Sequence, residues 1–205
     1  MSTALIFAGG PENRAPCLPI PPHDFVIAAD SGLRLCERLG LSSDLVLGDF
    51  DSLGAAPTGY PVMTVPVEKD DTDTMLAAKT ALERGFRDIR IYGAFGGRLD
   101  HTLANLQTLE YLLDAGAEGW LVSSENYAFL QRPGTREYPA IAGFSFSVFA
   151  WSGQCSSVSL SGVHYPLENA VLTRQFPLGV SNAVTGECAR VSLSDGLLLV
   201  IGSRL

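Results

Sequence analysis

Five aspartates stand in two tight clusters, Asp49 and Asp51 in GDFDS and Asp70, Asp71 and Asp73 in KDDTD, and a third polar motif, GGRLDH, follows at residues 96–101. Carboxylates a few ångströms apart resist joint ionisation. A hard divalent cation removes that penalty, and Mg²⁺ on the phosphates of a nucleotide is the usual reason to assemble such a set. Each motif also has a plainer reading. A D-x-D pair is common in turns that follow strands. In KDDTD, Thr72 or Asp71 has the type and place of a helix N-cap, with acids suited to the first turn, although three acids exceed what a cap requires. Gly93, Gly96 and Gly97 let backbone N–H groups approach an anion, and Arg98 adds a forked donor for phosphate oxygens. The plainer alternative makes Asp100 an N-cap, His101 with Asn105 a solvated i, i+4 face, and Lys69 a surface partner of its acidic neighbours.

Some readings are excluded outright. An EF-hand loop starting at Asp49 would have Leu53 and Tyr60 at its fifth and twelfth positions, where ligands are needed. A Walker A loop and the protein-kinase signature set are both absent. The cysteines Cys17, Cys36, Cys155 and Cys188 are widely spaced and form no CxxC pair, which reads as buried reduced thiols, not a zinc site.

The elements that must position the motifs follow from hydrophobic pattern. TALIFA (3–8), FVIAA (25–29), LVL (45–47), VMTV (62–65) and IRIY (89–92) read as buried strands. Helical patterns lie at 32–39, 74–84 and 101–113, the last with Leu99, Leu103, Leu106, Leu109 and Leu113 at helical spacing and Gly116 to end it. Alternation of strand and helix predicts an α/β domain over residues 1–123 with a largely parallel, Rossmann-like sheet. Beyond it the character changes: FSFSVFAW (144–151), 157–160 and 190–193 alternate, and Gly or Pro recurs every several residues. Residues 124–205 are therefore expected to form a small all-β sandwich. Trp120, Trp151 and the 144–149 aromatic stripe read as core. Asp30 follows one predicted strand, GDFDS the next and GAFGGRLDH a third. In an open α/β sheet those carboxyl ends line a single ligand crevice.

Bulk composition bounds the function. With 205 residues, 46% hydrophobic and 18% charged, the chain can bury a substantial core. A net charge of −8 without a Lys/Arg run repels phosphate backbones, so nucleic acid is not the expected partner. The N-terminus lacks the charged n-region of a signal peptide, and no run approaches the roughly 20 apolar residues that cross a bilayer. A cytoplasmic protein is the expectation.

Taken together, DSG (30–32), GDFDS, KDDTD and GGRLDH occur in the order that resembles the thiamine pyrophosphokinase family, and GVHYPL (162–167) and GVSNAVTGECARVSLSDGLLLVI (179–201) are similar to its thiamine-binding β domain. The resemblance spans nearly the whole chain. One departure is visible: Ala183 follows Ser181 and Asn182 where bacterial relatives usually carry Glu. The resemblance implies transfer of a pyrophosphoryl group from ATP to thiamine. It places Mg²⁺ on Asp49, Asp51, Thr72 and Asp73, and gives Asp70 and Asp100 secondary roles at a second metal or the hydroxyl proton. Asp30, Lys69, Asp70, Gly96, Gly97, Arg98, His101 and Asn105 fall on the ATP side; Tyr165, Ser181 and Asn182 fall on the thiamine side. Asp49, Asp51, Asp73, Asp100 and Arg98 are the catalytic candidates. The family resemblance also implies a homodimer with the site between subunits. Three rival functions have the same residues to explain: a pyrophosphokinase of a hydroxymethyl pterin, a D-x-D glycosyltransferase, and a non-catalytic thiamine or nucleotide sensor.

Overall fold

The computed structural model describes residues 2–12, 14–51, 54–66 and 70–205. Lys69 lies outside the described residues. The chain divides into two compact units, Met1–Ser124 and Glu125–Leu205. Among the described residues, no helix is long and apolar enough to cross a membrane.

In the first unit the strands are β1 (Thr3–Phe7), β2 (Phe25–Ala29), β3 (Leu45–Gly48), β4 (Val62–Thr64), β5 (Asp88–Tyr92) and β6 (Glu118–Val122). They pair in parallel in the order β6-β5-β1-β2-β3-β4. The chain moves outward from β1 to β4 and then returns to place β5 on the other side of β1. That reversal makes the gap between the β1 and β5 carboxyl ends a topological switch point, where such sheets bind ligands. The central strands are solid apolar runs because both faces are covered; Ala4, Leu5, Ile6 and Phe7 are fully buried.

Three helices cover the sheet. Helix α1 (Gly32–Arg38) starts against β1, and a Cβ at Gly32 would fall 1.9 Å from the Phe7 carbonyl oxygen. Helix α2 (Asp73–Glu83) buries Ala77, Ala78 and Ala81, small side chains that let it lie close to the strands. Its N-cap is Thr72, whose hydroxyl oxygen accepts a hydrogen bond from the Met75 N–H at 3.1 Å. Helix α3 (Leu99–Asp114) packs Leu109 and Leu112 over Gly119 of β6. The expected leucine stripe is only partly inward: Leu99 is 82% and Leu103 53% exposed, while Asn105, Thr108, Leu109 and Leu112 are buried. The N-terminal turns of α3 carry leucine where the helix face does not meet the sheet.

The second unit consists of β7 (Asn126–Gln131), β8 (Gly134–Pro139), β9 (Phe144–Ala150), β10 (Gln154–Ser161), β11 (Leu167–Thr173), β12 (Gly179–Asn182), β13 (Cys188–Leu193) and β14 (Leu198–Arg204). Two antiparallel four-stranded layers result, β12-β9-β14-β7 and β11-β10-β13-β8. Tyr138 of one layer packs on Phe129 and Phe146 of the other, with centroids 6.3 and 5.5 Å apart. Its hydroxyl donates to Gln131 Oε1 at 3.0 Å, so the buried phenol is satisfied. This is the expected sandwich. The edge strands β8 and β11 escape the hydrophobic pattern because each fully buries one side chain, Tyr138 and Leu172.

None of the four cysteines is in a disulfide; burial pushes the Cys36 thiol up to about 12, which keeps it protonated and inert. Gly32→Ala should cost about 2–3 kcal/mol in urea unfolding, because the new methyl meets backbone that has no rotamer to move. Gly153→Ala, in open space, should stay within about 0.5 kcal/mol. A neutral Gly32→Ala would show that α1 does not press on β1 as described.

Candidate active site

Acids in the first unit fall into two groups by which end of the sheet they occupy. At the amino ends, Asp24 Oδ2 accepts the Thr3 N–H at 3.0 Å and Asp44 Oδ2 accepts the Val26 N–H at 2.9 Å. These carboxylates tie strand starts together and are accounted for by structure alone. At the carboxyl ends the accounting is different. Asp30 follows β2 with φ of +47°, a left-handed backbone, and its Oδ1 is buried without a hydrogen-bond partner. Gly48 makes room for it: a Cβ there would lie 3.1 Å from that of Asp30.

A cavity of about 420 Å³ opens at these carboxyl ends. One wall is Ala8, Gly9, Gly10 and Pro11 after β1, and the facing wall is Gly93, Ala94, Gly96 and Gly97 after β5. Asp30 and Ser31 come from the β2–α1 turn, Asp71, Thr72 and Asp73 from the start of α2, and Arg98, His101 and Asn105 from the start of α3. The N-termini of α2 and α3 therefore both reach the cavity, and the positive ends of their dipoles favour an anion such as phosphate.

Close backbone packing shapes the walls. The Gly10 N–H donates to the Gly93 carbonyl at 2.9 Å, and a Cβ at Gly10 would sit 2.2 Å from that oxygen. Asn105 is 7% exposed and its Nδ2 donates to the Ala94 carbonyl at 2.8 Å, pinning the loop to α3. The solvated i, i+4 reading of His101 and Asn105 thus holds for His101 alone. Asn105 turns inward because it lies one turn deeper, where α3 meets the loop.

Charges near the mouth are partly paired. Asp71 accepts Lys79 Nζ at 2.7 Å on both oxygens, across the first two turns of α2. Arg98, the N-cap position of α3, forks onto Asp100, with Nε to Oδ1 at 3.1 Å. The guanidinium holds the Asp100 carboxyl below its usual range. Arg98 is 71% exposed in its side chain, so an arriving phosphate can take over its donors at modest cost.

The described part of the GDFDS motif, residues 48–51, is built around Phe50. Its ring is buried with Ala28, Leu33 and Val46, and Tyr60 packs against that cluster. Its backbone is left-handed, φ +64°, which is rare for a bulky residue and a form of strain. Next to that anchor Asp49 is half-buried and Asp51 exposed, with the Asp51 N–H donating to Asp49 Oδ1 at 3.1 Å. Asp49, Asp51, Asp70 and Asp100 do not line the cavity. Among the described residues no three His, Cys, Asp or Glu side chains stand close enough to hold a metal by themselves.

Two contributors were absent from the sequence reading. The Gly9–Gly10–Pro11 wall had a signal, a glycine pair directly after an apolar strand. The Phe50 anchor had none, since an aromatic inside an acidic loop reads as ordinary packing.

In the second unit, Tyr165 is 63% exposed, with the His164 ring edge-on at 4.5 Å. Ser181 is left-handed (φ +57°), and its N–H donates to Ser147 Oγ at 3.0 Å. Asn182 is buried and bonds to the main chain of Tyr165. Of the three sequence candidates of this unit, Asn182 and Tyr165 are hydrogen-bonded to each other, and Ser181 precedes Asn182 in the chain and bonds to Ser147.

Comparison with known proteins sets this geometry in a family. Residues 20–121 match the thiamin pyrophosphokinase catalytic domain, and residues 139–198 match the thiamin pyrophosphokinase vitamin B1 binding domain. The thiamine pyrophosphokinase of Bacillus subtilis (strain 168) is 31% identical, with 99% of each chain covered. The crystal structure of the Bacillus subtilis enzyme superposes with a TM-score of 0.88 over 99% of both chains. That of the thiamin pyrophosphokinase from Geobacillus thermodenitrificans, 28% identical, gives 0.83 over 100% of this chain and 98% of that one. With both domain models matched in order and a relative aligned end to end, the chain belongs to the thiamine pyrophosphokinase family.

Proposed function

We propose that this chain carries out its family's reaction, transfer of the pyrophosphoryl group of ATP to the hydroxyethyl oxygen of thiamine, giving thiamine diphosphate and AMP. The observation that carries the reading is the cavity at the β1/β5 switch point, fronted by two helix N-termini, a glycine wall and Arg98. The thiamine oxygen bonds to the β-phosphorus as the bond from that phosphorus to the α–β bridging oxygen breaks. AMP leaves with the bridging oxygen, and the hydroxyl proton passes to solvent or a nearby carboxylate. Charge develops on the non-bridging and leaving oxygens, so the work of the protein is positioning and electrostatic stabilisation.

Within that reading, the Gly96–Gly97 backbone and Arg98 cradle phosphate, with His101 at the rim. Asn105 serves through the Ala94 carbonyl it holds. Asp49, Asp51, Thr72 and Asp73 are the residues assigned to Mg²⁺, with Asp70 and Asp100 secondary and Lys69 an added cation. These hard oxygens would hold Mg²⁺ together with water and substrate phosphates and not as a protein cage, and Asp30 Oδ1, buried without a hydrogen bond at the same cavity, is a further hard oxygen that a cation there would favour. When bound, Mg²⁺ supplies neutralisation of the triphosphate charge. Thr72 retains a lone pair for it after capping α2.

On the thiamine side, the exposed face of Tyr165 suits a flat cationic ring. Ser181, exposed and next in the chain to the buried Asn182, is the second residue assigned to thiamine. We further propose a homodimer in which the ATP side of one chain meets the thiamine side of its partner. The exposed apolar side chains of Leu99, Leu103, Phe176, Leu178 and Val180 offer surface for such a contact. We also place the chain in the cytoplasm, where its substrates are used and where cysteines outside disulfides stay reduced.

Incubation of the purified protein with thiamine, ATP and Mg²⁺ should yield thiamine diphosphate and AMP in equal amounts, and none with EDTA. ADP with thiamine monophosphate would instead mean single phosphoryl transfer. Turnover of a hydroxymethyl pterin in place of thiamine would move the substrate assignment. Asp73→Asn should lower kcat by at least about a thousandfold with an unchanged thermal midpoint; normal activity would remove Asp73 from the metal set. Tyr165→Ala should raise the KM for thiamine roughly tenfold while leaving that for ATP in place. Equal losses on both substrates would take Tyr165 off the thiamine side.

A further inference from the structure

The side-chain amide oxygen of Asn182 is spent inside the protein. Its Oδ1 accepts the Tyr165 N–H at 2.9 Å and the Ala183 N–H at 2.9 Å, and its Nδ2 donates to the Tyr165 carbonyl at 2.7 Å. Both lone pairs of the amide oxygen and one of the two N–H groups are therefore engaged, in a residue only 4% exposed. An amide in that state has no acceptor left for a ligand.

What it does instead is extend a ladder. The His164 N–H donates to the Ala183 carbonyl at 2.9 Å, the Thr185 N–H donates to the Gly162 carbonyl at 2.9 Å, and Val163 and Val184 form a β-bridge between them. Backbone pairing between the two segments stops short of Tyr165. The amide of Asn182, shaped like a peptide group, takes over there with a donor and an acceptor at once. Ser181, held left-handed by its own N–H bond to Ser147 Oγ, is the step in the chain immediately before Asn182. Tyr165 thus has a fixed main chain and an exposed ring braced edge-on by His164.

We infer that Asn182 is a positioning residue for thiamine: it acts through the main chain of Tyr165 and not by touching the substrate. The inference rests on the reading of Tyr165 as a thiamine-facing ring. An aromatic face aligns a cationic ring only if its own backbone is held, because small displacements at a binding surface lose much of the interaction. Ala183 enters the ladder through its N–H and carbonyl alone. The absence of the acid that bacterial relatives usually carry there consequently leaves this device intact.

A double-mutant cycle on the full chain separates the alternatives. Thiamine affinity is read by calorimetry without ATP, and KM is measured for both substrates. Asn182→Ala should weaken thiamine binding roughly tenfold in the wild-type background, with the KM for ATP unchanged, and by less than twofold once Tyr165 is already Ala. Losses that multiply fully in the double variant would overturn the inference, since Asn182 would then act on thiamine directly. If Tyr165→Ala alone leaves thiamine binding untouched, the tyrosine reading fails and the inference goes with it. Asn182→Asp keeps the acceptors and removes the donor to the Tyr165 carbonyl, and serves if Asn182→Ala loses the sandwich circular-dichroism signal. It should show the same suppression by Tyr165→Ala, and full multiplication would count against the inference here too.

Discussion

The carboxyl ends of β1 and β5 are joined backbone to backbone, and the cavity depends on that contact. Gly10 bonds to Gly93, and Ala8 donates to the Tyr92 carbonyl at 2.8 Å one step earlier. No side chain fits between these segments: a Cβ on Gly93 would fall 2.4 Å from the Ala8 carbonyl. Parallel strands with a reversal between them ordinarily leave a gap beyond their ends. Here the two loops leave the sheet in contact and then part, so the gap becomes a walled cavity with backbone amides on its surface. The N-terminus of α3 follows directly from one wall, and Asn105 anchors it to Ala94. Phosphate recognition by main-chain groups requires this nearness, because N–H donors lie too deep to reach an anion past intervening side chains.

Carboxylates are distributed over the sheet by a simple electrostatic rule. Those at the amino ends, Asp24 and Asp44, accept backbone N–H groups and need nothing further. Asp88 accepts the Thr3 hydroxyl and pairs with Arg90 Nε at 2.9 Å. At the carboxyl ends, Asp30 keeps a buried oxygen without a hydrogen bond, and it and Phe50 hold left-handed backbone. Unfavourable terms of this kind persist where surrounding packing overrides them and where a ligand offsets them. The Phe50 ring among Ala28, Leu33 and Val46 is the packing that overrides the strain next to Asp49 and Asp51.

Much of the fold was readable from pattern. Buried parallel strands such as TALIFA and FVIAA are continuous apolar runs, and Thr72 before an acidic first turn marked the start of α2. The edge strands β8 and β11 were not readable, because a strand covered on one face and unpaired on one side needs little apolar content. Helix α3 misled in a different way. Leu99 and Leu103 continue its leucine spacing into the first turns, yet the spacing carries no information about where the sheet beneath the helix stops.

Residue type and spacing by themselves determined the chemistry available to this protein: clustered hard oxygens, glycines before a helix, a forked cation and a tyrosine segment. These are local properties, fixed by which atoms a few consecutive residues carry. Tertiary structure alone decided how each was used. It set Asn105 and Asn182 to hold main chain, placed Gly9–Pro11 opposite Gly93–Gly97, and anchored the chain between Asp49 and Asp51 through Phe50. The physical reason is that an amide or a carboxylate binds whatever group lies within about 3 Å, and that neighbour comes from a distant part of the chain.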